Sequence, residues 1–340
     1  MAELEDAKLL SADEAEKTKA EIAEGAEDEF EDAADGDSNA FDVSEEEMTI
    51  IRAQLACEFP DDYKYLSDSY IKSVASKPYS KDPTQRRPLE YTMEKLSHVM
   101  EWRETAGAPE MEELVKMGNG PESAPEAVES PEKLTKAKAL VASLNTGSLY
   151  WHGLTKDGRP ILWVRTNRKP WYPDVEADIN GLILLADAGI KLMPKGITDF
   201  VCISDSTSPP PPNPSFMIGM LKALVRGYPD RLNLLVSAPI SSIIQFVMKL
   251  LLPLMPGRLA SKVVLLDVDG ANKKLEELLL NGKDDIPGFF GGPSDHDLFY
   301  PEESRCPNRG TGTLKFDYFG MVERLEESVK EYAALSQNGK

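Results

Sequence analysis

Four short runs of this chain are apolar at nearly every position: Pro160–Arg165 (PILWVR), Asp199–Ser204 (DFVCIS), Leu232–Ser237 (LNLLVS) and Lys262–Asp267 (KVVLLD). A strand with one wet face alternates apolar and polar residues, whereas a continuous run suits a strand covered on both faces. Helical stretches lie between the runs, at Val175–Leu192, Pro214–Arg226 and Ser241–Leu252. Strand and helix in alternation predict an α/β domain with a mostly parallel sheet. A last helix is expected over Phe316–Ala334, through Met321, Leu325, Val329 and Tyr332.

Ahead of this domain the periodicity is helical. Ser44 and Glu47 have the spacing of a capping box, and Met48, Ile51 and Leu55 follow at helical intervals. A second helix is expected over Asp68–Lys77, stopped by Pro78, because a residue before proline resists the helical conformation. A third, Leu89–Thr105, aligns Leu89, Met93, Leu96 and Met100 on one stripe. Ala106–Pro131, rich in Pro, Gly, Glu and Ser, reads as a loop or hinge, and a helix from Glu132 to about Leu144 follows. The expected divisions are residues 1–43, 44–130, 131–295 and 296–340. They are an acidic tail, a small all-α module with its loop, the α/β domain and a C-terminal extension.

Charge separates the tail from the rest. Residues 1–50 hold 19 Asp and Glu against three Lys, a net of −16 out of the chain's −20, so everything after them carries only −4. Residues 1–43 have almost no large apolar groups to offset the roughly 1–2 kcal/mol per residue of backbone ordering entropy, and disorder is expected there. Such a segment serves as a solubilising leader or as an acidic docking tail. The near-neutral remainder argues against nucleic-acid binding, which needs a basic face to displace counterions from phosphates. Cys57, Cys202 and Cys306 are far apart, with no CxxC pair, so neither a disulfide framework nor a zinc site is expected. The opening residues, MAELEDAKLL, lack the basic and apolar regions of a secretory signal, and a cytoplasmic setting is the expectation.

Enzymatic motifs are scarce. Val263–Ala271 (VVLLDVDGA) ends an apolar run in DxDG, as phosphatases of the haloacid dehalogenase type begin, with Asp267 as nucleophile and Asp269 as acid/base. The usual Thr is Ala271, however, and only 73 residues follow Asp267, too few for that fold. The plainer reading is a strand end turning through Gly270 into a helix over Lys273–Leu280. The GxG at Gly310–Gly312 has no strand leading into it. His98, His152 and His296 neither pair at helical spacing nor lie near a cysteine in sequence, so no nucleophile–base pair, metal site or catalytic residue is assigned.

Ile243–Met255 (IIQFVMKLLLPLM) needs its own account. Ten of its 13 positions are apolar, and only Gln245 and Lys249 form a narrow polar stripe. It is too short for a membrane span, which takes about 20 residues. Either it is a helix sandwiched in a core, or it faces apolar material on both sides, with a break at Pro253.

The order of pieces around that helix is informative. KDGRPILWVRTN (Lys156–Asn167), FVCISDSTS (Phe200–Ser208), GYPDRLNLLVSAP (Gly227–Pro239), the apolar helix, SKVVLLD (Ser261–Asp267) and IPGFFGG (Ile286–Gly292) occur in succession. Over Tyr150–Gly292 this resembles the CRAL-TRIO lipid-binding family, which includes phosphatidylinositol/phosphatidylcholine transfer proteins. SDSYIKSVASK and MEWRE look like that family's N-terminal helical module.

The resemblance implies a sheet floor with helices enclosing one lipid pocket. Ser241–Leu254 matches the mobile gate helix, and Ile203, Leu235, Ile243, Phe246, Val247, Leu250, Leu251 and Leu254 are the expected pocket and gate residues. In phosphoinositide-binding members an acid after YP and a lysine opening the last strand hold the headgroup; here they are Asp230 and Lys262, with Lys77 as the basic residue of the helical module. The chain departs from the family at Val74–Lys77 (VASK in place of a more basic run), at Leu259 (where a hydroxyl is frequent) and at Pro209–Pro212. The implied function is binding and transfer of a phospholipid such as phosphatidylinositol, or of another hydrophobic small molecule. The implied protein is a cytoplasmic monomer in transient contact with membranes, with no cofactor beyond the lipid. A non-enzymatic interaction scaffold on the same fold, and an Asp267-dependent phosphatase, are the alternatives.

Overall fold

The computed structural model describes residues 12–23, 41–79, 82–296 and 316–338. Cys306 and the Gly310–Gly312 motif lie outside the described residues. The chain forms two compact units. One gathers the described residues up to Pro109 with Met217–Leu232 and Phe246–Lys262; the other holds Glu110–Phe216, Asn233–Gln245 and the described residues from Val263 on.

In the first unit the capping box forms as expected. The Ser44 hydroxyl accepts from the Glu47 N–H at 3.2 Å and Glu47 accepts from the Ser44 N–H at 3.0 Å, starting the helix Glu45–Glu58. Its Met48, Ile51 and Leu55 are buried. The next helix, Asp68–Ala75, begins at the cap Ser67 and buries Tyr70, Ile71 and Val74; it stops two residues short of the expected Lys77. The Leu89–Thr105 helix has the expected bounds, with Leu96 and Met100 buried and Leu89 and Met93 packed at the core's edge. Between these two helices lies an unforeseen antiparallel hairpin, β1 (Pro78–Tyr79) and β2 (Asp82–Arg86). Its second strand, DPTQR, carries no apolar alternation that could have announced it.

The expectation of disorder over residues 1–43 is corrected in part. Ala12–Ala23 is a helix that packs against the stretches Ala223–Gly227 and Leu252–Leu254. Ile22 is fully buried and Glu21 pairs with Lys222 at 3.3 Å. Ala, Glu and Lys are strong helix formers, so ordering this segment is cheap. A helix this short is marginal alone, and contact with the folded unit supplies what its sequence lacks. The other tail residues up to Ala40 lie outside the described residues.

The second unit is built on a five-stranded sheet in the order β3–β4–β5–β6–β7. β4 (Pro160–Arg165), β5 (Phe200–Asp205), β6 (Leu232–Ala238) and β7 (Val263–Leu265) occupy the four apolar runs. β4 pairs parallel with β5, and β6 parallel with β7. The fold is α/β with a mostly parallel sheet, as expected. β3 (Leu149–Leu154) adds an antiparallel edge that the sequence concealed: LYWHGL is interrupted by Gly153 at φ +70° and a register shift between Trp151 and Leu154. The Val175–Lys191 helix covers β3, where a side chain at Gly189 would collide with the Trp151 ring, and the Trp151 indole donates to Leu185 O at 2.6 Å.

The loop expected over Ala106–Pro131 contains the helices Met111–Asn119 and Pro125–Glu129. Met111, Leu114 and Val115 form a buried face, and Gly118 lets this helix lie directly on Ala137 of the Pro131–Leu144 helix. Pro125 and Pro131 sit at helix starts, where a missing N–H costs nothing, so these prolines open helices instead of breaking them. The last helix runs Tyr318–Asn338, with Met321 and Leu325 buried against β3.

Candidate functional site

The first unit carries one strongly polar site within an apolar frame. Beyond the helix Pro214–Lys222 and the wider turn Ala223–Gly227, the chain bends through Tyr228, Pro229 and Asp230. Gly227 is required by close approach, since a side chain there would overlap the Trp102 ring. Trp102 meets Tyr228 edge-on at 5.6 Å, and the Tyr70 hydroxyl donates to Pro229 O at 2.9 Å. These contacts hold Asp230 at φ +60°, a left-handed conformation that Asp tolerates better than most residues.

The bend buries the Asp230 carboxylate to 4% exposure, with Lys77 Nζ at 2.6 Å, Arg258 at 2.8 Å and Arg87 at 4.0 Å. Burial alone would raise its pKa. The fields of Lys77, Arg258, Lys95 and Arg87 outweigh that and hold it well below the usual carboxylate range. Four cations therefore converge on one acid.

Asp230, Arg258 and Lys262 form the polar part of a small cleft of about 30 Å³, partly open to solvent, with Leu224, Val225, Leu232 and Leu259 among its apolar walls. Lys262 uses one of its three N–H groups on Leu232 O at 2.7 Å. The structure thus brings Asp230 and Lys77 into an ion pair and sets Lys262 in the same cleft as Asp230. The sequence reading missed Arg258, Arg87 and Lys95. Arg258 could have been found four residues before Lys262 on the helical turn Gly257–Ser261. Arg87 and Lys95 arrive from a distant stretch and carry no motif.

The apolar helix runs Ser242–Leu251 and tightens to a single turn, Leu252–Leu254, at Pro253. Ile244, Met248 and Leu251 are buried, as is Leu254; Ile243, Phe246, Val247 and Leu250 are half-buried; Gln245 and Lys249 are exposed, and Leu252 remains 41% exposed. Ile203 is fully buried on β5, in register with Trp163. Leu235 on β6 is half-buried, and so are Leu234 and the whole of β7, whereas β5 is buried at every position. Apolar strand residues at that side of the sheet stay accessible.

The enzymatic motifs resolve differently. Asp267 is the N-cap of the helix Val268–Leu278, accepting the Gly270 N–H at 2.7 Å, so Gly270 lies in the first turn of a helix that starts earlier than the expected Lys273. The histidines, unrelated by spacing, do meet in space: the His152 and His296 rings are 4.0 Å apart, and His296 Nδ1 is 3.1 Å from the Tyr150 hydroxyl. Burial pushes His152 down to about 4 and His296 to about 2. Both are neutral at ordinary pH, in an aromatic cluster with Trp163 and Phe289. Among the described residues no group of His, Cys, Asp and Glu could hold a metal ion, and no helix is long and apolar enough to cross a membrane.

Residues 144–292 match the family model of the CRAL/TRIO domain. No curated protein matches the chain. The sequential order of the pieces, the mostly parallel sheet and this match agree that residues 144–292 are similar to the CRAL/TRIO domain, a domain that in general binds and transfers hydrophobic ligands.

Proposed function

We propose that this protein binds a phospholipid, phosphatidylinositol in the first place, and transfers or presents it between membranes from the cytoplasm. The observation that carries the reading is the convergence of Lys77, Arg258, Lys95 and Arg87 on Asp230, in a cleft that also holds Lys262. Cations of this kind suit a phosphate, while a carboxylate can orient a lysine or accept from an inositol hydroxyl. In the same unit as that cleft, the half-buried Phe246, Val247 and Leu250 supply apolar surface for acyl chains.

Energetics favour exchange over one-way capture. Two acyl chains of about 32 methylenes together, at roughly 0.8 kcal/mol each, are worth on the order of 25 kcal/mol against water. A bilayer already provides that stabilisation. Transfer is therefore feasible when the protein's interior is comparably apolar, and it needs no catalytic side chain.

Native mass spectrometry and lipid extraction on the purified full chain test the reading directly. A co-purifying phospholipid, and its movement between vesicles, are expected; a chain that carries no lipid and moves none defeats it. Lys262→Ala should lower phosphatidylinositol binding more than phosphatidylcholine binding, and equal losses would remove the headgroup assignment.

A further inference from the structure

The carboxyl ends of β4, β5 and β6 lie side by side. Arg165 and Asp205 close the β4–β5 register and form a buried ion pair at 2.9 Å, and the Thr166 hydroxyl donates to Asp205 O at 2.9 Å. Ser206 N donates to Ala238 O at 2.7 Å, and the Ser206 and Ser237 hydroxyls are 2.6 Å apart. The three segments leaving these ends, residues 166–174, 206–213 and 239–241, therefore emerge from one edge of the sheet.

Their composition is unusual for this chain. The first displays Trp171, 48% exposed, and Tyr172, 92% exposed, between Pro170 and Pro173. The second contains Pro209–Pro212, and the third carries Ile240, 38% exposed. In a protein of net charge −20, the three segments together hold a single acid, Asp174, whose carboxylate caps the Val175–Lys191 helix. The first segment is also anchored at its base: Lys169 pairs with the buried Asp178 at 2.6 Å and lies over the Phe216 ring at 4.1 Å. Flanking prolines restrict the backbone on either side of the aromatic pair.

The geometry points to this edge as a membrane-docking surface in which Trp171 and Tyr172 enter the headgroup region of a bilayer. Trp and Tyr have an apolar ring with a polar tip and concentrate where hydrocarbon meets water. The near absence of acidic groups lets this edge approach an anionic leaflet that the rest of the chain would repel. The third segment leads directly into the apolar Ser242–Leu251 helix, so docking and ligand exchange are neighbours in the chain. The inference rests on the lipid-transfer reading for its purpose, and its test does not depend on it.

Full-length protein is sedimented with vesicles of phosphatidylcholine alone and of phosphatidylcholine with phosphatidylserine. Trp171→Ala/Tyr172→Ala should reduce partition about tenfold or more on both, given the ring area withdrawn from water. Leu335→Ala, at an exposed position on the last helix, should leave it unchanged. Raising the salt concentration should have little effect. Partition of the double variant equal to that of the natural chain overturns the assignment, as does a natural chain that ignores both vesicles or one that salt strips away. Ligand content is read on the same samples by native mass spectrometry. A variant that keeps its lipid but loses vesicle binding supports docking at this edge. A chain without lipid that still docks through Trp171 and Tyr172 leaves the docking surface standing and removes the transfer reading.

Discussion

Acid should destabilise this protein well before its carboxylates titrate. In the unfolded chain each histidine has a pKa of about 6.5. Burial holds His152 down to about 4 and His296 to about 2; the His152 ring, Arg165 and Arg168 add to the shift at His296, and Asp285 partly opposes it at His152. Between these values the unfolded chain binds protons that the native one refuses, so stability rises with pH and falls as pH drops through about 6.5. Integrating from about pH 7 to about pH 5 gives about 2 kcal/mol for each ring, about 4 kcal/mol for the pair. Asp230 and Glu47, both with lowered pKa, are ionised in either state there, and their contributions are lost only below the ordinary carboxylate range. His152→Phe keeps a ring stacked on His296 but cannot be protonated. Urea unfolding followed by tryptophan emission, at both pH values and for both proteins, measures the difference. The natural chain should lose about 2 kcal/mol more than the variant on acidification. Equal losses would mean that the His152 ring is solvated and titrates normally, and a loss below about 1 kcal/mol in the natural chain would mean the same of both rings.

Three further outcomes test individual contacts. Asp230→Asn keeps the left-handed backbone accessible but leaves four cations facing a neutral amide, and should cost about 3–5 kcal/mol in thermal unfolding; a cost under about 1 kcal/mol would show the cluster to be solvated. Gly227→Ala forces a methyl into the Trp102 ring and should cost about 1–3 kcal/mol or shift the bend at Asp230, while unchanged stability would contradict the close approach. Asp267→Ala removes the cap on Gly270 and should cost about 1 kcal/mol in stability with lipid content unaltered; loss of a magnesium-dependent phosphoester hydrolysis would instead revive its reading as a nucleophile.

What could be read from the sequence was whatever a short stretch of chain decides by itself. The runs at β4 and β5 are apolar because they are covered, those at β6 and β7 stay apolar although half-buried at several positions, and Ser44–Glu47 and Leu89–Thr105 carry a cap and a stripe of their own. β3 was hidden because a glycine and a register shift break its pattern, and the hairpin β1–β2 because DPTQR has no apolar face. The helices within 111–129 were hidden for a third reason: the same proline that ends one helix can start the next, and only the packing of Gly118 on Ala137 tells which. Ala12–Ala23 shows composition misleading outright, since low apolar content describes the segment but not the fully buried Ile22 or the Glu21–Lys222 pair.

The site divides along the same line, and its geometry explains why. Asp230, Lys262 and Lys77 were legible because each stands in a recognisable stretch, whereas Arg258 and Arg87 are defined by distance to one carboxylate and Lys95 by its field there. That carboxylate is where it is because Tyr70, Trp102 and Gly227 fix a bend that turns Asp230 inward at a positive φ. An acid so buried is tolerable only with cations close by, and cations gathered that closely need an acid in return. The bend and the charges are therefore one structural decision: a substitution that straightens the chain at Gly227 should loosen the cation cluster as surely as neutralising Asp230 itself.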